Sequence, residues 1–126
     1  MIPKYRAWHK TWDELGKVKR IRFDGEGNVT TVLFEGKFLG VNTHVDEIEL
    51  MQSTDMVDRD GKIIFEGDIV KMSKDVYSEP IYYEVVRHYG GAYRLESKQH
   101  GCELWLRHTD CEVVGNVYEN KELLDT

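Results

Sequence analysis

Residues 58–71 constrain the fold of this chain more than any other segment, because turn-forming and strand-forming residues alternate within them. Their sequence is DRDGKIIFEGDIVK. Asp60 and Gly61 are a pair that two-residue hairpin turns of the primed types prefer, since glycine accepts a positive φ without a Cβ clash. The β-branched and aromatic residues at 63–65 favour a strand, and Gly67 permits a second sharp turn. The segment therefore predicts short strands joined by tight turns.

Short strand signals recur along the whole chain, whereas helical periodicity is nearly absent. The predicted strands are 4–8, 18–23, 29–34, 47–52, 63–65, 69–72, 81–88, 92–97, 102–107 and 112–118. Hairpin loops are predicted at 24–28 and 89–91, and single helical turns at 11–16 and 120–124. Strands at spacings near ten residues predict an all-β, mostly antiparallel fold that closes into one small barrel or two.

The length of 126 residues predicts a single domain. Residues 36–46 carry the weakest strand signals, so an alternative is two β subdomains with a crossover there. No apolar stretch is long enough to span a bilayer, and the first dozen residues lack the features of a signal peptide. Without a secretion signal, Cys102 and Cys111 are expected to be reduced thiols. These observations predict a cytoplasmic protein.

Four cations lie within six residues at Lys17, Lys19, Arg20 and Arg22, with Arg6 and Trp8 as candidate neighbours. Cations beside aromatic rings are the ingredients of a nucleic-acid surface. On a regular strand, however, Lys17 and Lys19 share a face with Ile21, and the two arginines share the other face with Val18. The sequence therefore predicts that this charge is divided between two faces. The excess of 23 acidic over 17 basic residues also argues against a general nucleic-acid coat.

Tyrosines are concentrated in one hairpin region, at Tyr77, Tyr82, Tyr83, Tyr89 and Tyr93. The alternation at 81–86 is imperfect, so at least one of them is expected to face outward. Exposed aromatic residues are enriched at protein interfaces, while packing between neighbouring strands is the plainer interpretation. Tyr82 and Tyr83 are accordingly candidates for a surface that binds a protein partner or a second copy of the chain.

Chemistry at a metal or a catalytic centre has little support. His100, Cys102, His108 and Cys111 lie close in sequence. On one strand, however, the two histidines would be about 26 Å apart at roughly 3.3 Å per residue, too far for one tetrahedral ion. Glu66 and Asp68 flank a turn, and no serine nucleophile, P-loop or dinucleotide motif is present. The sequence predicts a protein that is not an enzyme and uses no metal or other cofactor.

Three ordered stretches of the chain follow the pattern of one protein family. The first is Tyr5-Arg6-Ala7-Trp8, followed by His9 where that family usually has aspartate. The third comprises residues 114–120 and 122–124, with Lys121 in place of a common proline. In the second stretch, Asp55 stands where glycine is usual, and the positions that fit are Met51, Gln52, Thr54, Asp58, Gly61, Lys62, Ile64, Glu66, Gly67, Asp68, Ile69 and Val70. Together these stretches resemble the YopX-like proteins of bacteriophages and prophages.

This resemblance implies a small barrel similar to the Src-homology-3 type, an origin in a phage or prophage, and a role that the family does not define. The leading hypothesis is a non-enzymatic accessory protein in the host bacterial cytoplasm, acting through a protein partner or as a homo-oligomer. The alternative is a nucleic-acid-binding module that uses the basic strand at residues 17–22.

Overall fold

The structure, a computed structural model, describes residues 4–37, 40–73 and 78–125. The side chain of Tyr89 and all of Tyr77 lie outside the described residues. Within them, the elements are β1 Tyr5–His9, β2 Glu14–Phe23, β3 Val29–Glu35, β4 Val41–His44, β5 Ile48–Val57, β6 Ile63–Phe65, β7 Asp68–Met72, β8 Ile81–Arg87, β9 Tyr93–Glu96, β10 Gly101–Glu103, α1 Leu104–Arg107 and β11 Glu112–Asn116. Turns of 3-10 helix occur at Val45–Glu47, Tyr89–Gly91, His108–Asp110 and Lys121–Asp125.

The strands form two antiparallel sheets. Their orders are β4-β3-β2-β1-β5-β6 and β10-β9-β8-β7-β11. The prediction of an all-β, antiparallel fold is therefore confirmed. In the described part of the chain no hydrogen-bonded ladder joins the end strands of either sheet, so the closed barrel that the sequence predicts is not found.

The chain divides into two compact units, Met1–Gln52 and Ser53–Thr126, which we call unit 1 and unit 2. Strand β5 runs across this boundary: residues 48–52 pair with β1, and Ser53 and Val57 pair with β6. The division does not fall at residues 36–46, where the sequence suggested a crossover. Part of that segment is β4, which pairs with β3 inside unit 1.

Unit 1 has a small core on one face of its sheet, formed by the buried residues Ala7, Val32, Phe34 and Ile48. The Phe34 ring lies over Gly16, where an added Cβ would be 2.5 Å from the ring carbon Cζ. Glycine is therefore required there for close packing.

Gly16 belongs to β2, so the helical turn predicted at 11–16 is wrong. The chain instead reverses through a turn in which Asp13 takes a φ of 49°.

Unit 2 has the larger core, whose buried residues are Ile64, Val70, Met72, Tyr83, Val85, Leu95, Leu104 and Cys111. The strand predicted at 102–107 is correct only as far as Glu103, because α1 begins at Leu104. The Leu104 side chain has no exposed surface. The helical turn points this leucine into the core and leaves Trp105 and Leu106 exposed.

The hairpin predicted around Asp60 and Gly61 is present, but its turn is of another type. Gly61 N–H donates to the Asp58 carbonyl at 3.0 Å, which makes Arg59 and Asp60 the central residues. Gly61 follows them with a φ of 82°, and Asp60 has no positive φ. A primed type I turn requires positive φ at both central residues. The loop is thus an ordinary turn followed by a left-handed glycine, and the predicted two-residue turn is wrong.

Candidate functional site

An irregularity in the pairing of β2 with β3 decides where the four cations point. Val18 lies opposite Phe34, and Ile21 lies opposite Val32. Two residues separate Val18 from Ile21 on β2, whereas one residue separates their partners on β3. Directly opposite residues share a face of the sheet. Val18 and Ile21 therefore both face the core of unit 1, against which both pack.

The extra residue is a β-bulge, and it overturns the prediction that the charge is divided. A bulge opposes two residues on one strand to one on its neighbour, so the alternation of faces restarts after it. Lys17 lies opposite Glu35, Arg20 opposite Leu33 and Arg22 opposite Thr31, all on the outer face. The Nζ atom of Lys19 is 4.0 Å from a carboxylate oxygen of the same Glu35.

Lys17, Lys19, Arg20 and Arg22 are all exposed, and we call this set the basic face. It extends about 13 Å along the sheet, because its two ends lie opposite Glu35 and Thr31, which are four residues apart at ~3.3 Å per residue. Lys19 has the ion pair with Glu35, in which both side chains are partly exposed. Among the residues that the structure describes, the other three cations have no ion-pair partner. The result is a one-sided concentration of positive charge on an acidic protein.

The neighbouring strands extend the outer face on both sides. On β1, Arg6 lies opposite Lys17, and Trp8 lies one row further along, opposite Leu15. Both β1 side chains are half-buried. On β4, Asn42 lies opposite Leu33 and His44 opposite Thr31, and the side chains of these two β4 residues are exposed. Polar and aromatic groups thus lie on the two sides of the basic face.

The three tyrosine side chains of this region that the structure describes, those of Tyr82, Tyr83 and Tyr93, do not form one surface. Tyr83 is buried in the core of unit 2, with 7% of its surface exposed, and Tyr93 packs against the same core. Burial raises the pKa of Tyr83. Tyr82, on the opposite side of β8, is half-buried and lines a shallow groove of about 190 Å³. The other lining residues are Ile81, Ser97, Lys98, Gln99, His100 and Leu124.

The two cysteines are free thiols in unit 2, one half-buried and one buried. Burial, with smaller contributions from Cys102 and Asp110, raises the pKa of Cys111 to about 12. Its Sγ donates to the Arg107 carbonyl oxygen at 3.3 Å. A thiol that stays protonated at neutral pH is a poor nucleophile, so this residue has a packing role.

Two further metal and catalytic candidates, His108 and Asp68, are also held in structural contacts. His108 Nδ1 lies 2.8 Å from the Val57 carbonyl oxygen. Asp68 is fully buried, and its Oδ2 accepts the Phe65 N–H at 2.7 Å. Across residues 4–37, 40–73 and 78–125, no group of three or more His, Cys, Asp or Glu side chains is placed to hold a metal ion.

Two buried polar residues that organise the backbone were not singled out from the sequence. Asp58 accepts three backbone N–H groups, from Asp60 and Lys62 at Oδ1 and from Val113 at Oδ2, each at 2.9 Å. Asn116 Oδ1 accepts the N–H groups of residues 118 and 119. The position of Asp58 at the start of a turn was a usable signal for its role. The role of Asn116 depends on how the chain folds back after β11, which no local sequence pattern shows.

The comparisons with known proteins agree with this fold. The model of the YopX protein family matches residues 4–125. The chain belongs to the YopX family. Its fold is similar to the crystal structure of protein EF1440 from Enterococcus faecalis, with 26% identity, a TM-score of 0.72, and coverage of 98% of this chain and 99% of that one. It is also similar to protein yopX from Bacillus subtilis, with 23% identity, a TM-score of 0.67, and coverage of 96% and 97%.

No significant match to a curated protein was found. In the described part of this YopX-family chain, no helix has the length and apolar character that a membrane crossing requires.

Two positions at which this YopX-family chain departs from the usual residues have local explanations. His9 Nδ1 accepts the Trp12 N–H at 3.2 Å, which an aspartate oxygen could also do. The His9 ring also stacks on the Trp12 ring, with 4.0 Å between centroids. Asp55 has a φ of 62°, a left-handed conformation that glycine adopts without cost. Both changes therefore concern turns and bulges rather than chemistry.

Proposed function

We propose that this YopX-family protein is a nucleic-acid-binding module whose ligand contacts the basic face. The observation that carries the proposal is the bulge in β2, because it places four exposed cations on one face. Phosphate groups are attracted to such a cluster regardless of base sequence. The proposed ligand is therefore a polyanion whose attraction to the protein is mainly electrostatic.

The charge of the whole protein supports a defined orientation. The net charge is −6, so the remainder of the surface repels a phosphate backbone while the basic face attracts it. An uneven field of this kind steers a charged ligand to one region and suppresses non-specific coating. The module would act in the bacterial cytoplasm during the life of a phage or prophage, as its resemblance to YopX-like proteins implies. Kinship with small barrels of the Src-homology-3 type is part of the same proposal.

Fluorescence anisotropy with a labelled oligonucleotide tests this proposal. We expect binding that weakens between about 50 and 200 mM salt, with a slope of roughly −0.7 per neutralised phosphate on a single strand. Replacing Arg20 and Arg22 by glutamate should weaken binding at least about tenfold, since two phosphate contacts become repulsive.

The matched control replaces Lys62 and Lys98 by glutamate, which changes the net charge equally on exposed residues of unit 2. Its affinity should stay within about twofold of the wild-type value because no phosphate contact is removed. Absence of binding at low salt contradicts the proposal, and so does an equal loss in the control variant.

A second candidate function, contact with a protein partner or self-assembly, is favoured by an exposed apolar group in unit 2. Trp105 is 64% exposed, Leu106 is 58% exposed and Val57 is 40% exposed. The hydrogen bond between His108 and the Val57 carbonyl brings the end of β5 next to the residues that follow α1. Tryptophan is enriched among the residues that dominate binding energy at protein interfaces.

Light scattering tests self-assembly through this group. If it is the contact between copies, the wild-type protein should have at least twice the monomer mass, and replacing Trp105 and Leu106 by serine should give a monomer with an unchanged circular-dichroism spectrum. A wild-type monomer at all concentrations argues against self-assembly.

A further inference from the structure

The outer face of unit 1 repeats one arrangement of side chains in two consecutive rows across β2, β3 and β4. The first row is Arg20, Leu33 and Asn42. The second row, two residues further along, is Arg22, Thr31 and His44. In each row an exposed arginine lies at one end, an exposed polar side chain lies at the other, and a half-buried residue lies between them.

The dimensions of these rows follow from sheet geometry. Neighbouring strands are about 4.8 Å apart, so the backbone positions at the two ends of a row are roughly 10 Å apart. Successive rows are two residues apart, or about 6.6 Å. A nucleotide could therefore lie across each row, with its phosphate at the arginine and its base extending toward β4.

The polar ends of the rows have the hydrogen-bonding groups that a base edge needs. The Asn42 amide offers both a donor and an acceptor. His44 Nδ1 accepts the Asp46 N–H at 3.2 Å, so in the neutral ring Nε2 carries the proton and is the available donor. Between the ends, the Leu33 side chain and the Thr31 methyl group provide apolar surface beneath a base.

Two acidic residues next to the rows, Glu35 and Asp46, lie away from the arginine ends. Glu35 pairs with Lys19 beyond the first row, and Asp46 lies at the β4 side, with its carboxylate 3.3 Å from His44 Nδ1. A phosphate that follows the two arginines meets cations, whereas the carboxylate of Asp46 is near the base end. The charge pattern therefore orients a nucleotide across the row in one direction.

We infer that the ligand of the basic face is single-stranded nucleic acid, which lies along β2 with its bases over β3 and β4. This inference rests on the proposed function and specifies its ligand class. In a duplex the base edges lie within grooves bounded by both phosphate backbones. An open sheet face instead suits unpaired bases that spread sideways from the backbone.

Anisotropy titrations with a mixed-sequence oligonucleotide, single-stranded and as the duplex with its complement, test this inference. We expect the single strand to bind at least about tenfold more tightly than the duplex at the same salt concentration. Replacing Asn42 and His44 by alanine should weaken single-strand binding about tenfold, the loss expected for base-edge contacts. Duplex binding and the salt slope should not change, because no phosphate contact is removed.

The control variant replaces Gln99 and His100 by alanine, an exposed amide and imidazole in unit 2; it should bind both ligands as the wild type does. Circular dichroism and thermal unfolding establish that each variant is folded. Equal or tighter binding of the duplex overturns the inference but leaves the proposed function standing. If the protein prefers the single strand but the variant with alanine at Asn42 and His44 binds it as tightly as the wild type does, the placement of the bases is overturned. Absence of binding to either ligand overturns the proposed function as well.

Discussion

Asp58 is a carboxylate whose role is to organise backbone rather than to react. Burial raises its pKa, but the backbone N–H groups of Val113, Lys62 and Asp60 together outweigh that effect, so the pKa lies below its ordinary value of 3.8. Its residue surface is 3% exposed. The side chain thereby ties the hairpin between β5 and β6 to β11 through its bond to Val113.

Replacing Asp58 by alanine should lower the free energy of unfolding by about 2–4 kcal/mol, because three backbone donors lose their acceptor. The depressed folded-state pKa means that the contribution of Asp58 is present above pH ~4 and is lost as pH falls below that value. Urea unfolding at pH 7 and at pH 3 measures both effects.

Asp24→Ala is the matched control for Asp58. Asp24 accepts the N–H groups of Glu26 and Asn28 in a loop with the same hydrogen-bond pattern, but it is exposed. We expect a smaller loss of stability for this variant. A loss for Asp58→Ala no larger than that of Asp24→Ala would contradict the assigned role.

The backbone conformation of Asp55 leads to a second prediction at the scale of single residues, because its φ of 62° is unfavourable for any residue with a Cβ. Asp55→Gly should be neutral or should stabilise the protein by up to about 1 kcal/mol, whereas Asp55→Val should destabilise it by about 1–2 kcal/mol, since a β-branched residue tolerates this conformation poorly. Thermal unfolding of the two variants measures the difference. Equal stability would show that the left-handed conformation costs nothing at this position.

The sequence identified Asp55 as a departure from the usual glycine, but not the reason for it. The conformation depends on the irregular pairing of β5 with β6 between Ser53 and Val57. Pairing between strands is a tertiary property, so residue types alone do not determine it. Asp58, in contrast, begins a segment in which the sequence predicts a turn, and only its third contact, to Val113, depends on the fold.

At the scale of elements, the bulge in β2 determines which side chains of the strand face the core and which face solvent. The residues that pack on the core are Val18 and Ile21, three apart, while the cations occupy the other positions. The bulge has an extra residue, and removing Lys19 should restore regular alternation with Val18 and Ile21 still facing inward.

Deleting Lys19 should therefore yield a folded protein that is destabilised by less than about 2 kcal/mol, since the core residues keep their positions. Deleting Val18 instead removes a core side chain and turns Lys19 toward the interior, which should destabilise the protein by more than about 3 kcal/mol. Chemical denaturation monitored by circular dichroism compares the two deletions. A larger loss for the first than for the second would be inconsistent with a bulge at this site.

Most strands were predictable because alternation and turn residues are local signals. The strands at Val29–Glu35, Ile63–Phe65 and Ile81–Arg87 agree with the predicted ranges to within one residue. The basic face was not predictable, because the bulge that creates it depends on register between strands. Helix α1 was not predictable either. It forms because the Leu104 side chain packs in the core, and four residues are too few to show helical periodicity.

At the scale of the whole molecule, each unit has its own core, and Cys111 lies in that of unit 2. The sequence predicted many short strands but placed no boundary at residue 52. The reason is that β5 continues across the boundary as one strand of ten residues. Strand propensity is continuous through residue 52, so the boundary between the two units is visible only from which residues pack together.

The core position of Cys111 predicts slow reaction with thiol reagents. In a Cys102→Ser variant, the remaining thiol should be unreactive at pH 8 in the native protein, because it has no exposed surface and a pKa near 12. Its labelling rate, followed by absorbance with an aromatic disulfide reagent, should rise with denaturant in parallel with unfolding of unit 2. Complete labelling of the native protein within minutes would contradict this placement.

The bulge in β2 also has a consequence for how this surface can change over evolutionary time. In a regular strand, gain or loss of one residue moves every later side chain to the opposite face and usually ruins the core. Here one residue is already in excess, so the loss of a residue at this position changes the number of exposed cations and leaves Val18 and Ile21 facing the core. Relatives with a differently charged outer face could arise by this route without any compensating mutation in the apolar residues.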